Sequence, residues 1–187
     1  IASSGIVYGG RVGNGNNVVA TVNMSVLPVS AEESTETDTS TEADPISTSA
    51  SSNSVTITGS QVEGVYGGYM QYYGDTSAEA DAVAGVNHNT VTLTNTSASG
   101  TSVYGGYTGY GDANDNTVKI TGTKVTDDDE IYLTSVSSDI TGGETESGNA
   151  DGNTVTLDTI ASSGIVYGGR AGNGNNVAEA VLMSVLA

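Results

Sequence analysis

Four times along the chain an asparagine opens a short alternating segment: NSVTIT from Asn53, NTVTLT from Asn89, NTVKIT from Asn116 and NTVTLD from Asn153. In each, Val and a second aliphatic residue stand two apart (Val55/Ile57, Val91/Leu93, Val118/Ile120, Val155/Leu157), so both project from one face of a strand. Thr, Lys or Asp lies between them and faces the other way, where β-branched Thr suits a pleated, half-exposed surface. A second motif follows at Val65-Tyr66-Gly67-Gly68, Val103-Tyr104-Gly105-Gly106 and Val166-Tyr167-Gly168-Gly169, and it also stands near the start at Val7-Tyr8-Gly9-Gly10. The third copy reads as a degenerate box, Glu130-Ile131-Tyr132-Leu133. The asparagines are 36, 27 and 37 residues apart, so the shortest spacing sets the unit. Longer copies are expected to hold their extra residues in loops, at Ser77 to His88 and in the acidic stretch from Thr126 to Gly152.

The two ends repeat each other. Residues 1–28 and 160–187 are identical at 22 of 28 positions with a constant offset of 159, the exceptions being 12, 19, 20, 21, 23 and 28 of the first copy. This implies either a natural repeat of that period or matched terminal rungs of one array. Between the first copy and Asn53, residues 28–52 carry both prolines, six acids and no base, a composition that cannot bury a face and reads as a solvated low-complexity insertion. A second acidic insertion is expected over 124–152.

Repetition matters because the chain is poor in core-forming residues. Leu 6, Ile 9, Val 22 and Phe 0 make 37 of 187 residues, with a formal charge of -18, which sits at the border with disorder for a compact globule. Stacked rungs avoid this, since each satisfies its backbone against its neighbours and shares a narrow core. The whole chain, 1–187, is therefore read as one all-β array, a parallel β-solenoid; a β-sandwich is the alternative, but would not by itself explain the recurring boxes. In parallel stacking at about 4.8 Å, equivalent residues form columns. Asn53, Asn89, Asn116 and Asn153 are expected to make one column, bonded through their amides, and Tyr8, Tyr66, Tyr104 and Tyr167 another, with stacked rings. The paired glycines permit close approach between rungs.

The NxVTI or NTVTL opening, the VYGGY box and the GDAxxN turn resemble the repeats in passenger regions of bacterial autotransporters and related large surface adhesins. The resemblance covers most of the chain outside 28–52 and 124–152. It implies a parallel β-solenoid, an extracellular or cell-surface location, and a role as an extended stalk or adhesive fibre.

Several function classes fare badly on composition. Four basic residues against 22 acidic ones leave no patch to neutralise phosphates, arguing against nucleic acid and anionic membrane. No apolar run approaches a membrane span, so no insertion is expected. Without Cys there is neither a disulfide nor a thiolate metal site. Beginning at Ile1, with no initiator Met or signal peptide, the chain reads as a processed or excised piece. His88, the single histidine, stands in a polar turn and reads as a turn residue rather than a general base. Carboxylates abound, yet nothing selects two for glycoside hydrolysis, so the chain is read as no enzyme, with a polysaccharide-active enzyme the weakest alternative. Oxygen ligands in acidic turns make Asp112, Asp115, Asp127, Asp128, Asp129 and Asp151 calcium candidates, although no EF-hand loop is present. The expected function is structural, a fibre or stalk segment that self-associates end to end as a homo-oligomer or filament. The alternative is an adhesion module whose tyrosines, among them Tyr69, Tyr72, Tyr73, Tyr107 and Tyr110, bind host glycan or protein.

Overall fold

The computed structural model describes residues 5–13, 16–19, 21–25, 49–70, 85–127, 129–132, 134–172 and 180–184. Those residues hold strands and turns and no helix. The chain opens with β1 (Ile6–Gly13), β2 (Asn16–Val19) and β3 (Thr21–Ser25). Four rungs follow. The first is β4 (Ser54–Thr58), β5 (Gln61–Val62) and β6 (Gly64–Met70); the second is β7 (Thr90–Thr94), β8 (Ser97–Ala98) and β9 (Val103–Thr108). The third runs from β10 (Thr117–Thr121) through a hairpin, β11 (Lys124–Asp127) and β12 (Asp129–Tyr132), to β13 (Ser135–Val136) and β14 (Ile140–Thr145). The fourth is β15 (Thr154–Asp158), β16 (Ala161–Ser162) and β17 (Val166–Ala171), and β18 (Ala180–Ser184) closes the series.

Each rung visits three sheets in the same order. An opening sheet holds β18-β15-β10-β7-β4-β3, a short sheet β16-β13-β8-β5, and a glycine sheet β17-β14-β9-β6-β1-β2. Pairing between rungs is parallel and in register: Val55 lies beside Val91, Val91 beside Val118 and Val118 beside Val155, with Ile57, Leu93, Ile120 and Leu157 forming the parallel row. A sandwich of antiparallel sheets is thereby excluded for the rungs; the antiparallel pairs are β1 with β2 and the hairpin.

The core explains how so few large side chains suffice. Each of the first three rungs contributes two buried residues from its opening strand and one from each of its other two sheets; in the second rung these are Val91, Leu93, Ala98 and Val103. In the fourth, β16 is exposed, and partly buried Ile160 and Val166 pack beside Val155 and Leu157. Apolar burial of roughly 1.5–3 kcal/mol for each Val or Leu thus accumulates along one axial row while the strand ladders satisfy the backbone. Polar Thr between the inward pairs stays part-exposed, as the period-two pattern requires.

Two expectations from the sequence change here. The box of the third rung is Ile140-Thr141-Gly142-Gly143 in β14, aligned with Val103-Tyr104-Gly105-Gly106; Glu130 to Tyr132 belongs instead to the hairpin. Nor is 124–152 a single insertion. Only the hairpin, Lys124 to Tyr132, stands apart, whereas β13, β14 and the turn to Asn153 belong to the stack. In the other long rung, Gly85 to His88 are likewise part of a stacked corner, and so are residues 49–52 of the stretch expected to be an insertion over 28–52, with the Ala50 N–H on the Gly85 carbonyl and the Ser52 N–H on that of Asn87; residues 77–84 and 28–48 lie outside the described residues.

The duplicated ends join the stack differently. In a regular rung the glycine strand is followed by an opening strand one place further along: β6 leads to β7, β9 to β10 and β14 to β15. The second copy obeys, since β17 leads to β18 beyond β15. In the first copy β2 folds back on the outer edge of β1, and β3 then pairs with the near side of β4.

Candidate functional site: stacked corners and a tyrosine face

Where the glycine sheet turns into the opening sheet, the four asparagines form a polar ladder inside the protein. Asn53 donates its backbone N–H and its Nδ2 to Asn89 Oδ1, both at 2.9 Å. Asn89 does the same to Asn116 Oδ1, both at 3.0 Å, and Asn116 to Asn153 Oδ1 at 2.8 and 3.1 Å. All four are at most 3% exposed, so each rung supplies the acceptor that the previous rung's buried donors need. The ladder has a direction. At its far end Asn153 turns its Nδ2 to the Ala113 carbonyl at 2.7 Å, and at its near end Asn53 Oδ1 is buried with no partner.

The paired glycines make the ladder possible. A Cβ on Gly106 would stand 2.6 Å from the Val86 carbonyl oxygen and 2.8 Å from Asn116 Nδ2, and one on Gly105 would fall 2.9 Å from Asn116 Cβ. Such approaches leave no room for a side chain, which is the reason for glycine at both places.

A second ladder runs along the outside of the same corner, with opposite polarity. Ser51 Oγ accepts from the Asn87 N–H at 2.9 Å, Asn87 Oδ1 from the Asn114 N–H at 2.7 Å, and Asn114 Oδ1 from the Asp151 N–H at 2.7 Å. Between the two ladders, Ser52, His88, Asp115 and Gly152 take left-handed backbone with φ of 62°, 58°, 56° and 65°. This column carries the turn into each inner asparagine. His88 is thus one member of a corner column, its exposed ring 3.8 Å from Asp115 Oδ2.

Asp112, Asp115 and Asp151 are each placed in the corner turns rather than around one point. Asp112 Oδ1 accepts the Asn149 N–H at 2.9 Å, and Asp115 and Asp151 sit in successive corners joined by the Asp115 N–H to Asp151 carbonyl bond at 2.9 Å. Asp127 and Asp129 are partners in the backbone register of the hairpin, while Asp128 lies outside the described residues. Among the described residues no group of three or more His, Asp or Glu is placed to hold a metal ion.

No family model, curated protein or solved structure matches this chain.

The outer face of the glycine sheet carries the tyrosines. Tyr8, Tyr66 and Tyr104 stack at 5.2 and 5.0 Å between centroids, and Tyr69 and Tyr107 stack beside them at 5.5 Å. The two rows meet edge to face, as between Tyr66 and Tyr69 at 5.1 Å, the geometry that ring quadrupoles favour. Thr141 takes the tyrosine's place in β14 and separates Tyr104 from Tyr167. The second row reads Arg11, Tyr69, Tyr107, Glu144, Arg170. Arg11 lies over the ring of Tyr8 at 5.2 Å and Arg170 over that of Tyr167 at 5.4 Å. Arg170 also reaches Glu144 at 3.5 Å. Burial, and then the charges of neighbouring tyrosines, push the Tyr66 hydroxyl well above its ordinary range. Burial and the Glu146 carboxylate push Tyr107 up to about 12, and the Tyr107 hydroxyl donates to Glu146 Oε1 at 3.1 Å. Burial raises Glu144 as well, against the opposing pull of Arg170. Tyr110 is 50% exposed; Tyr72 and Tyr73 lie outside the described residues.

The sequence placed the four inner asparagines in one column and Tyr8, Tyr66, Tyr104 and Tyr167 in another; the structure joins the asparagines and the first three tyrosines, while Thr141 parts Tyr167 from them. Sequence reasoning missed the outer ladder, although a signal was present: Ser51, Asn87, Asn114 and Asp151 each stand two residues before a ladder asparagine.

Proposed function

We propose that this chain is a structural protein, a parallel β-solenoid segment of an extracellular fibre or adhesin stalk that associates end to end with further copies of itself. The observation that carries the reading is the direction in which the side chains spend their hydrogen bonds. Buried amides, corner oxygens and tyrosine faces are all used along the stacking axis, from one rung to the next. Such a device makes a rod stiff and extendable, and each new rung completes the one before it. Repeats resembling autotransporter passengers support a place at the cell surface.

Adhesion is the second reading, favoured by the half-exposed Tyr110. Sugar stacking needs ring faces, however, and Tyr66, Tyr69, Tyr104 and Tyr107 already stack on one another. Negative-stain electron microscopy of the purified chain, with calcium and with chelator, tests the structural reading. Uniform filaments of rung-like width in both are expected. Filaments only with calcium would make the acidic turns assembly sites, and isolated short particles throughout would sink self-association.

A further inference from the structure

Resting on the fibre reading, we propose that the first copy of the duplicated sequence is an exchangeable plug. In the assembled fibre, β17 of a preceding copy of this chain takes the place that β1 holds in the isolated one, so that the fourth rung of one copy stacks directly on the first rung of the next.

The seat is already shown occupied by the same sequence. β1 lies parallel to β6, with Tyr8 beside Tyr66, Gly10 beside Gly68 and Arg11 beside Tyr69. A Cβ at Gly10 would run into the amide group of Asn53, and Arg11 lies over Tyr69 at 5.7 Å. β17 carries the matching Val166-Tyr167-Gly168-Gly169-Arg170 and holds the Arg over the Tyr as β1 does. Whatever makes β1 fit on β6 and Asn53 makes β17 fit there too.

The asparagine ladder says which fit is complete. In every interior step the donors of one asparagine meet the Oδ1 of the next. Asn53 Oδ1 is the one ladder acceptor left buried and unpartnered. The residue before Thr21 of β3 is Ala20, which has no side-chain amide, and with β3 paired to β4 the Asn53 Oδ1 stays without a partner. Seating the fourth rung there places Asn153, with its backbone N–H and Nδ2, one step before Asn53. It also sets β15 on β4, continuing the Val and Ile/Leu rows, and β16 on β5, whose outer edge carries no further strand among the described residues.

The exchange requires that β1, β2 and β3 leave the receiving copy and that β18 leave β15 of the incoming one. That requirement makes the junction testable in the full chain, which contains no cysteine. Thr56 and Thr156 point outward from β4 and β15. Within one copy they are separated by β7 and β10, roughly 14 Å at about 4.8 Å per strand, whereas across the proposed junction they are in-register neighbours, within disulfide reach. The Thr56→Cys/Thr156→Cys chain, oxidised during assembly and run without reductant, is expected to give a ladder of covalent dimers, trimers and longer species. Gly10→Val should increase it by evicting the plug, and Gly169→Val should abolish it, because the added side chain meets Asn53 of the next copy. Circular dichroism showing an unchanged strand signal for both variants confirms that the rungs are intact. Filaments without a disulfide ladder would overturn this junction and leave the fibre reading standing, for example through β18 of one copy against β3 of the next. Monomers by light scattering, with no ladder and no filaments, would overturn both.

Discussion

A 28-residue sequence, identical at 22 positions between its two copies, is used at both ends and steps in opposite directions. In the second copy the chain leaves β17 and advances to β18, beyond β15; in the first it leaves β1, doubles back as β2 and enters β3 behind β4. Both copies place their glycine strand in register on the same kind of neighbour, so the difference arises after the box. For β1, the slot one step ahead in the opening sheet is held by β4, and the strand can pair only behind it. For β17 that slot is open. The lesson is that the box specifies where a strand sits, while the vacancy in the next sheet decides where the chain goes.

Interior and terminal boxes should therefore respond differently to the same change, and glycine gives the largest contrast. Gly106→Val would force a side chain against the Val86 carbonyl, 2.6 Å from its Cβ, and against the buried Asn116 amide. Neither can withdraw without parting two rungs, so a cost of about 4 kcal/mol or more is expected, and with it loss of the cooperative thermal transition. At Gly10 the same substitution should release only β1 to β3, and thermal melts followed by circular dichroism should show the four rungs unfolding near the wild-type temperature. Equal losses at the two sites would mean that β1 is integral to the fold.

Ladder polarity supplies the next contrast. Asn153→Ala removes the acceptor for two Asn116 donors and the bond to Ala113, a loss of about 3 kcal/mol at roughly 1 kcal/mol per bond, more where donors stay buried. Asn53→Ala loses one side-chain bond to Asn89 and removes an unpartnered acceptor, so less than about 1 kcal/mol is expected. Urea midpoints of the two variants should separate clearly, although the residues are chemically identical and equally buried.

Much of this was legible in the sequence because stacking writes itself as recurrence. Val55/Ile57 and its three successors specify an inward face through spacing alone, and an asparagine before each fixes the corner. Tyr8, Tyr66 and Tyr104 followed from the box. What stayed hidden depended on contacts that several residue types satisfy. In β14 the glycine sheet needs an aliphatic residue and two glycines but not tyrosine, so Ile140-Thr141-Gly142-Gly143 was masked by the more tyrosine-like Ile131-Tyr132 of the hairpin. The outer ladder needs only a side-chain oxygen, which Ser51, Asn87, Asn114 and Asp151 all provide. Asp112 looked like a cation ligand because the same oxygen can accept a backbone N–H. The backward step of β3 was not legible at all, since β18 shares most of its sequence.

Alkaline pH should loosen the seat of the first copy. Tyr66 and Tyr69 carry β1, and Tyr107 stacks on Tyr69. Tyr107 is raised from 10.0 to about 12 and Tyr66 is raised further. A tyrosine whose folded-state value is raised is held neutral by the fold, so its contribution is complete below the unfolded value near 10.0 and is lost as pH climbs through about 12. Stability should accordingly stay level up to about pH 10 and fall between there and about pH 12. Tyrosinate absorbance, titrated alongside circular dichroism, checks this; ionisation complete by pH 10 in the folded protein would refute it.

The smallest effect, and the one that would make the two ends most alike, lies at Thr141. Tyr8 of the first copy belongs to an unbroken stack with Tyr66 and Tyr104, whereas Tyr167 of the second is cut off from Tyr104 by Thr141. Thr141 is buried and its Oγ1 has no partner, so the threonine neither stacks nor uses its hydroxyl. Thr141→Tyr would continue the column through all five glycine strands that share it and move a hydroxyl out of a dry position to the face. Aromatic pairs contribute about 0.5–1.5 kcal/mol beyond their area, and a net gain of about 1 kcal/mol is expected, read as a rise in the urea midpoint with an unchanged slope. Destabilisation instead would show that the third rung needs a small residue beside Glu144, and that the gap in the tyrosine column is itself a packing requirement.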